Sequence, residues 1–177
     1  MRYFVFVSIF IFALSACKTK HNLQTPLRLP SIIKVNSLEV ANFAEKMLGL
    51  GSKADEIILF IFEDTGENQL LRWKSEILIF DNANTIYPIP FQTDVKQGDT
   101  FRFILIEVDT ERTVEELLSI IQQCPYPCKE ANIKKAIDED DLLGLKELKI
   151  QPMERINVLE FWGVHLLDEY RYILKIE

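Results

Sequence analysis

Ile57-Ile58-Leu59-Phe60-Ile61-Phe62 is an unbroken apolar run, closed by Asp55-Glu56 on one side and by Glu63-Asp64-Thr65-Gly66 on the other. A run this short, rich in β-branched and aromatic residues and bounded by turn formers, reads as a strand. The same reading extends outward. Ile77 to Phe80 ends in the turn cluster Asp81-Asn82-Ala83-Asn84, and Phe101 to Val108 follows Gly98-Asp99. Near the C-terminus, Tyr170, Tyr172, Leu174 and Ile176 alternate with Arg171, Lys175 and Glu177, the period of a strand with one buried face. With 32–40, 70–80, 86–91, 145–150 and 155–162 the chain offers about eight strands, which predicts an all-β or β-rich α+β fold, an antiparallel β-sandwich.

Two features refine this expectation. Pro88 and Pro90 lie two apart in Ile86-Tyr-Pro-Ile-Pro-Phe91, so a ladder cannot form on the side where both amides are missing. The segment is therefore an edge strand or no strand. In Thr113-Val-Glu-Glu-Leu-Leu-Ser-Ile-Ile-Gln-Gln123, Val114, Leu117, Leu118 and Ile121 fall on one helical face, and Thr113 with Glu116 forms a capping box. A second, less regular helix is expected within 130–143, so 113–143 reads as a helical insertion between two strands.

The 177 residues suit one domain with an appendage, and a mixture of 48% hydrophobic and 27% charged residues is that of a globular protein. A net charge of −7 excludes a general nucleic-acid binder, and two histidines with three cysteines exclude a multi-metal or disulfide-rich scaffold. Met1-Arg2 opens an apolar run through Leu14, too short for a spanning helix and matched to a signal peptide. It ends in Leu14-Ser15-Ala16-Cys17, then polar Lys18-Thr19-Lys20. This resembles the lipobox of bacterial lipoproteins, which implies cleavage after Ala16, thioether lipidation of Cys17 and acylation of the freed amine with palmitate. Several acyl chains on one residue would make a durable membrane anchor. Lys18 after the cysteine, with no Asp there, implies the periplasmic face of the outer membrane. The expected organisation is signal peptide 1–16, lipidated Cys17 and tether 17–30, and a single sandwich domain 31–177.

Cys124-Pro-Tyr-Pro-Cys128 is the most distinctive motif of the domain. In an oxidising compartment a disulfide is the first reading, free thiols the second, and redox or metal chemistry the last, since redox pairs use two intervening residues and zinc needs further ligands. Phe101 to Glu111, ending Glu107-Val-Asp109-Thr-Glu111, followed by Asp141-Leu-Leu-Gly144, resembles the second half of a C2 domain. That resemblance implies two closing strands, at 155–162 and 170–176, and a calcium site at Asp81, Asp109 and Glu111, with Asp64 as an alternative to Asp81. In size and architecture the chain also resembles the lipoprotein that tethers the type VI secretion membrane complex. Trp73 and Trp162 read as core residues that could also line a pocket with His165, which by itself reads as a surface histidine. Hydrolase motifs and a phosphate loop are not found, so the expected role is non-catalytic. The expectation is a lipid-anchored module that binds an envelope protein, with a calcium- or glycan-binding sandwich as the alternative and a carboxylate hydrolase behind both.

Overall fold

The computed structural model describes residues 31–42, 54–82, 85–108, 112–137, 142–152, 158–165 and 168–177. Among these are nine strands and two helices: β1 (Ile32–Asn42), β2 (Asp55–Asp64), β3 (Gln69–Lys74), β4 (Leu78–Phe80), β5 (Ile86–Asp94), β6 (Thr100–Glu107), α1 (Val114–Gln123), α2 (Glu130–Ala136), β7 (Leu142–Lys149), β8 (Val158–His165) and β9 (Asp168–Ile176). They form two antiparallel sheets, β5-β1-β9-β8 and β3-β2-β6-β7, with β4 pairing β2 beside β3. The antiparallel β-sandwich and its helical insertion between β6 and β7 are as the sequence predicts.

The run at 57–62 explains the layering. Alternate residues of a strand point to opposite faces, so a continuous apolar run has two faces to cover. Ile57, Leu59 and Ile61 pack between the sheets with Phe101, Phe103, Leu105, Phe161, Tyr172 and Leu174. Ile58, Phe60 and Phe62, together with Ile104 and Ile106 of β6, face the other way and pack under Leu117, Ile121, Cys128, Ile133 and Ile137 of the insertion. The helices thus form a third layer over the centre of the second sheet. Thr113 caps α1 as expected: its Oγ1 accepts from Glu116 N at 3.2 Å, and Glu116 Oε2 accepts from Thr113 N at 2.8 Å.

Several boundaries differ from the sequence expectation. The stretch 70–80 is two strands, because Ser75 steps out of line between them. Its N donates to Leu59 O at 2.9 Å and its Oγ accepts from Leu59 N at 2.9 Å, so one serine satisfies Leu59, which with Ile58 is paired by neither strand. The second helix stops at Ala136, since Ile137 turns extended, and Leu142-Leu143 already belong to β7. Residues 138–141 lie outside the described residues. The strand expected at 155–162 is Val158–His165, hairpinned with β9. Pro88 and Pro90 sit on an edge strand as expected, and two residues of β5 oppose one of β1 between the Val35–Phe91 and Ser37–Pro88 pairs.

Gly144 is needed at a similar irregularity in β7, where Leu143 is the extra residue opposite Leu105–Ile106. Its φ of +154° disfavours any side chain, and an added Cβ would lie 3.2 Å from Phe161 Cδ1. Gly144→Ala is expected to lower stability by about 2 kcal/mol, the scale of one strained residue. Urea unfolding of the two proteins checks this; equal midpoints would mean that β7 relaxes freely around the bulge.

Candidate functional site

Antiparallel register sorts the loops to the two ends of the sandwich. Phe80 pairs Asp55 and Glu107 pairs Ile57, so Asp81 and the chain leaving β6 toward residue 109 depart from the same end. Asp81 is exposed and bound within its own loop, its Oδ1 accepting from Asn82 Nδ2 at 2.6 Å and Thr85 Oγ1 at 3.3 Å. Asp109 and Glu111 lie outside the described residues, as do Cys17, the signal peptide and the tether. Among the described residues no cluster of three or more metal-ligating side chains occurs.

Two acids that sequence reasoning misses sit at this end. Asp55 and Glu107 are buried, both on the inward parity of their strands, and Asp55 Oδ2 accepts a hydrogen bond from the Tyr172 hydroxyl. Phe80 packs edge-on to Tyr172 with ring centroids 5.6 Å apart. Next to it Tyr170 donates to Leu143 O at 2.9 Å, crossing from β9 to β7. Burial pushes the Tyr170 phenol above its ordinary 10.0, and the carboxylates of Glu130 and Glu107 push it further the same way. Strand parity is the signal for Glu107: it continues the inward series Phe103, Leu105.

Asp64 is at the opposite end and is not available to a site around Asp81. It is the hub of a structural network. Arg102, only 4% exposed, donates from Nη2 to Asp64 Oδ2 and from Nε to Glu147 Oε1, each at 2.9 Å. Tyr126 donates to Asp64 Oδ1 at 2.7 Å, and the Arg102 guanidinium lies 5.7 Å from its ring centroid. Gly66 N donates to the same carboxylate at 2.9 Å. The bond to Asp64 raises the Tyr126 phenol above 10.0, with partial desolvation and the charge of Asp64 adding to it.

Tyr126 is the tip of the Cys124–Cys128 turn, and its peptide bond to Pro127 is cis. The two cysteines are disulfide-bonded, with Cα atoms 5.3 Å apart. Cys128 is buried in the core beneath the helices and Cys124 is half-buried against it. The bond therefore joins the end of α1 to the start of α2 and anchors the helical layer. Tyr126 pins that layer to β2 and β6. Thr65, Gly66, Lys96, Asp99 and Tyr126 also border a cleft of about 490 Å³, but its Asp64 and Asp99 carboxylates are already held by internal donors.

The tryptophans separate. Trp73 is half-buried against the inter-sheet core and borders a groove of about 310 Å³ with Pro90 and Phe91. Trp162, expected in the core, is instead 69% exposed on the outer face of β8. The reason is parity: Phe161 takes the inward position, so Trp162 must point out. The His165 side chain lies outside the described residues.

No protein-family model matches the chain, and no curated protein is similar to it. Among solved structures it is similar to human GIVD cytosolic phospholipase A2 in complex with the inhibitor methyl γ-linolenyl fluorophosphonate and terbium chloride. The identity is 13%, over 82% of this chain and 16% of that one, at a TM-score of 0.37. This chain thus spans a small part of that protein, and a likeness so loose carries no functional assignment.

Asp64→Ala should destabilise the protein by about 3 kcal/mol, because the buried Arg102 guanidinium loses a carboxylate. Tyr126→Phe should cost less, since it leaves both carboxylates of Arg102 in place. Because Tyr126 holds its proton more tightly when folded, the stability it contributes is complete below pH 10 and falls as the pH rises past it. Melting curves from pH 8 to 11 should show a smaller fall for Tyr126→Phe; identical curves would mean that the phenol contributes nothing to the network.

Proposed function

We propose that this chain is a bacterial lipoprotein, anchored through Cys17 at the periplasmic face of the outer membrane, and that its sandwich is a non-catalytic module that binds an envelope protein. The observation that carries the reading is Trp162, at 69% the most exposed large hydrophobic side chain among the described residues. Large exposed aromatics are costly to solubility and are enriched where proteins dock. Val158, 45% exposed, shares that outer face. The lipobox supports the location, and the network around Arg102 is occupied in joining the layers.

Replacing Cys17 with Ser should shift the protein from the detergent phase to the aqueous phase and remove the acyl mass. Co-purification of the tagged, lipidated chain from detergent-solubilised envelopes should recover a stoichiometric partner protein, while a Val158→Lys, Trp162→Lys double variant recovers none. Recovery of the lipoprotein alone under mild cross-linking would contradict the docking reading.

A calcium-binding role is the second reading, favoured by one observation: buried Asp55 and Glu107 lie at the end from which Asp81 and the chain to Asp109 depart. Calcium takes several converging oxygens, and Glu111 would complete such a set. Calorimetric titration decides it: heat and a higher melting temperature at millimolar calcium support the site, and neither would remove it.

A further inference from the structure

Among the described residues the sandwich has four lateral edges, and three of them are obstructed. Open strand edges invite pairing with other chains, and proteins blunt them with prolines, bulges and covering groups. On β5 the obstruction is Pro88, Pro90 and the irregular register beside them. On the β3–β4 edge, Arg72 is an extra residue between the Ile61–Trp73 and Phe62–Leu71 pairs, and Ser75 breaks the line. Further along, the Tyr87 hydroxyl donates to Ile79 O at 2.6 Å and accepts from Ile79 N at 3.2 Å, occupying both main-chain groups of that residue. On β7 the bulge at Leu143 interrupts the edge, and Tyr170 fills the Leu143 carbonyl.

The fourth edge, β8, is regular. It pairs with β9 from Val158–Lys175 to His165–Asp168 without a register shift, and among the described residues it pairs with no other strand. At Gly163 the Tyr170 ring lies over the inward face of the strand, where an added Cβ would collide with its hydroxyl. Gly144 of β7 approaches the inner side of Phe161, and the exposed side chains of the strand lie between Val158 and Trp162 on its outer face. On its outer face Val158, Glu160 and Trp162 follow one another, and Glu160 is 40% exposed beside Arg171, 2.7 Å away.

We infer that this stretch of β8 accepts an extended segment of the partner protein as a fifth strand of its sheet. The inference rests on the docking role proposed above and names the chemistry of what docks. Main-chain groups of the incoming segment continue the ladder about 4.8 Å from β8. Directly opposed side chains then decide the fit. Val158 and Trp162 select apolar residues at alternate positions, and Glu160 selects a Lys or Arg between them. The net charge of −7 favours such a basic segment over an acidic one.

The test uses full-length, lipidated protein in detergent carrying Trp73→Phe, so that emission reports Trp162 alone. The probe is a capped synthetic peptide with the alternation Val-Thr-Lys-Thr-Val. Saturable blue-shifting of Trp162 emission is expected, weakened about tenfold by Val158→Lys or by Glu in place of the peptide's Lys, on the scale of one interface anchor. No shift at millimolar peptide, or a shift indifferent to Val158→Lys, would overturn the inference. So would sedimentation showing a dimer that buries Trp162, since a second copy would then hold the edge. A partner retained from envelopes by the Val158→Lys protein would leave the docking role standing and remove the β8 strand. Peptide binding at β8 with no partner recovered would do the reverse.

Discussion

Everything in this architecture depends on two strands that have no solvent face. β2 and β6 pair along their length, and the apolar residues of both sides are buried. A sheet covered on one side only would expose Ile58, Phe60, Phe62, Ile104 and Ile106 to water, at about 25 cal/mol per Å² of apolar surface. The second sheet covers one face. The insertion between β6 and β7 covers the other, and it is short: α1 spans Val114–Gln123 and α2 Glu130–Ala136. Helices of that length are marginal by themselves. Their attachments make sense in that light. The disulfide joins them end to start, Tyr126 fastens the turn to Asp64 and Arg102, and Gln69 Nε2 donates to Ile121 O at 2.6 Å. The Cys-Pro-Tyr-Pro-Cys motif thus fastens the helical layer to the sheet beneath it.

Among the described residues, nothing covers the outer face of the other sheet. Its outer face carries ion pairs between neighbouring strands, Lys175 with Glu39 and Arg171 with Glu160, which suit exposure to water. Trp162 and Val158 do not suit it. The doubly buried sheet thus contrasts with a sheet whose described outer face carries exposed side chains.

Much of this fold is legible in the amino-acid sequence. Strand positions follow from apolar runs between turn formers, the edge position of β5 from two prolines, and the first helix from its capping box. The departures have physical causes. Ser75 splits one expected strand because its hydroxyl and amide together imitate a ladder residue for Leu59, which no apolar pattern reveals. Leu142-Leu143 look helical beside Ile133 and Ile137, yet they begin a strand, whose alternation turns one to the helices and the other to the inter-sheet core. Trp162 reads as core by residue type, but its parity with Phe161 decides the matter. The candidate site is less legible than the fold. The pairing of Asp64 with Arg102, and the shared end of Asp55, Asp81 and Glu107, depend on register between strands far apart in the chain, and one sequence does not fix that register.

The inferred docking of a partner strand makes β8 the working edge of the sandwich. Amide hydrogen exchange of the lipidated chain, alone and in complexes isolated from envelopes, addresses it most directly. The claim predicts rapid exchange between Val158 and Trp162 in the isolated chain and new protection there in the complex, with the β5 and β3–β4 edges unchanged. Protection appearing on those edges instead, with β8 exchanging as before, would contradict it.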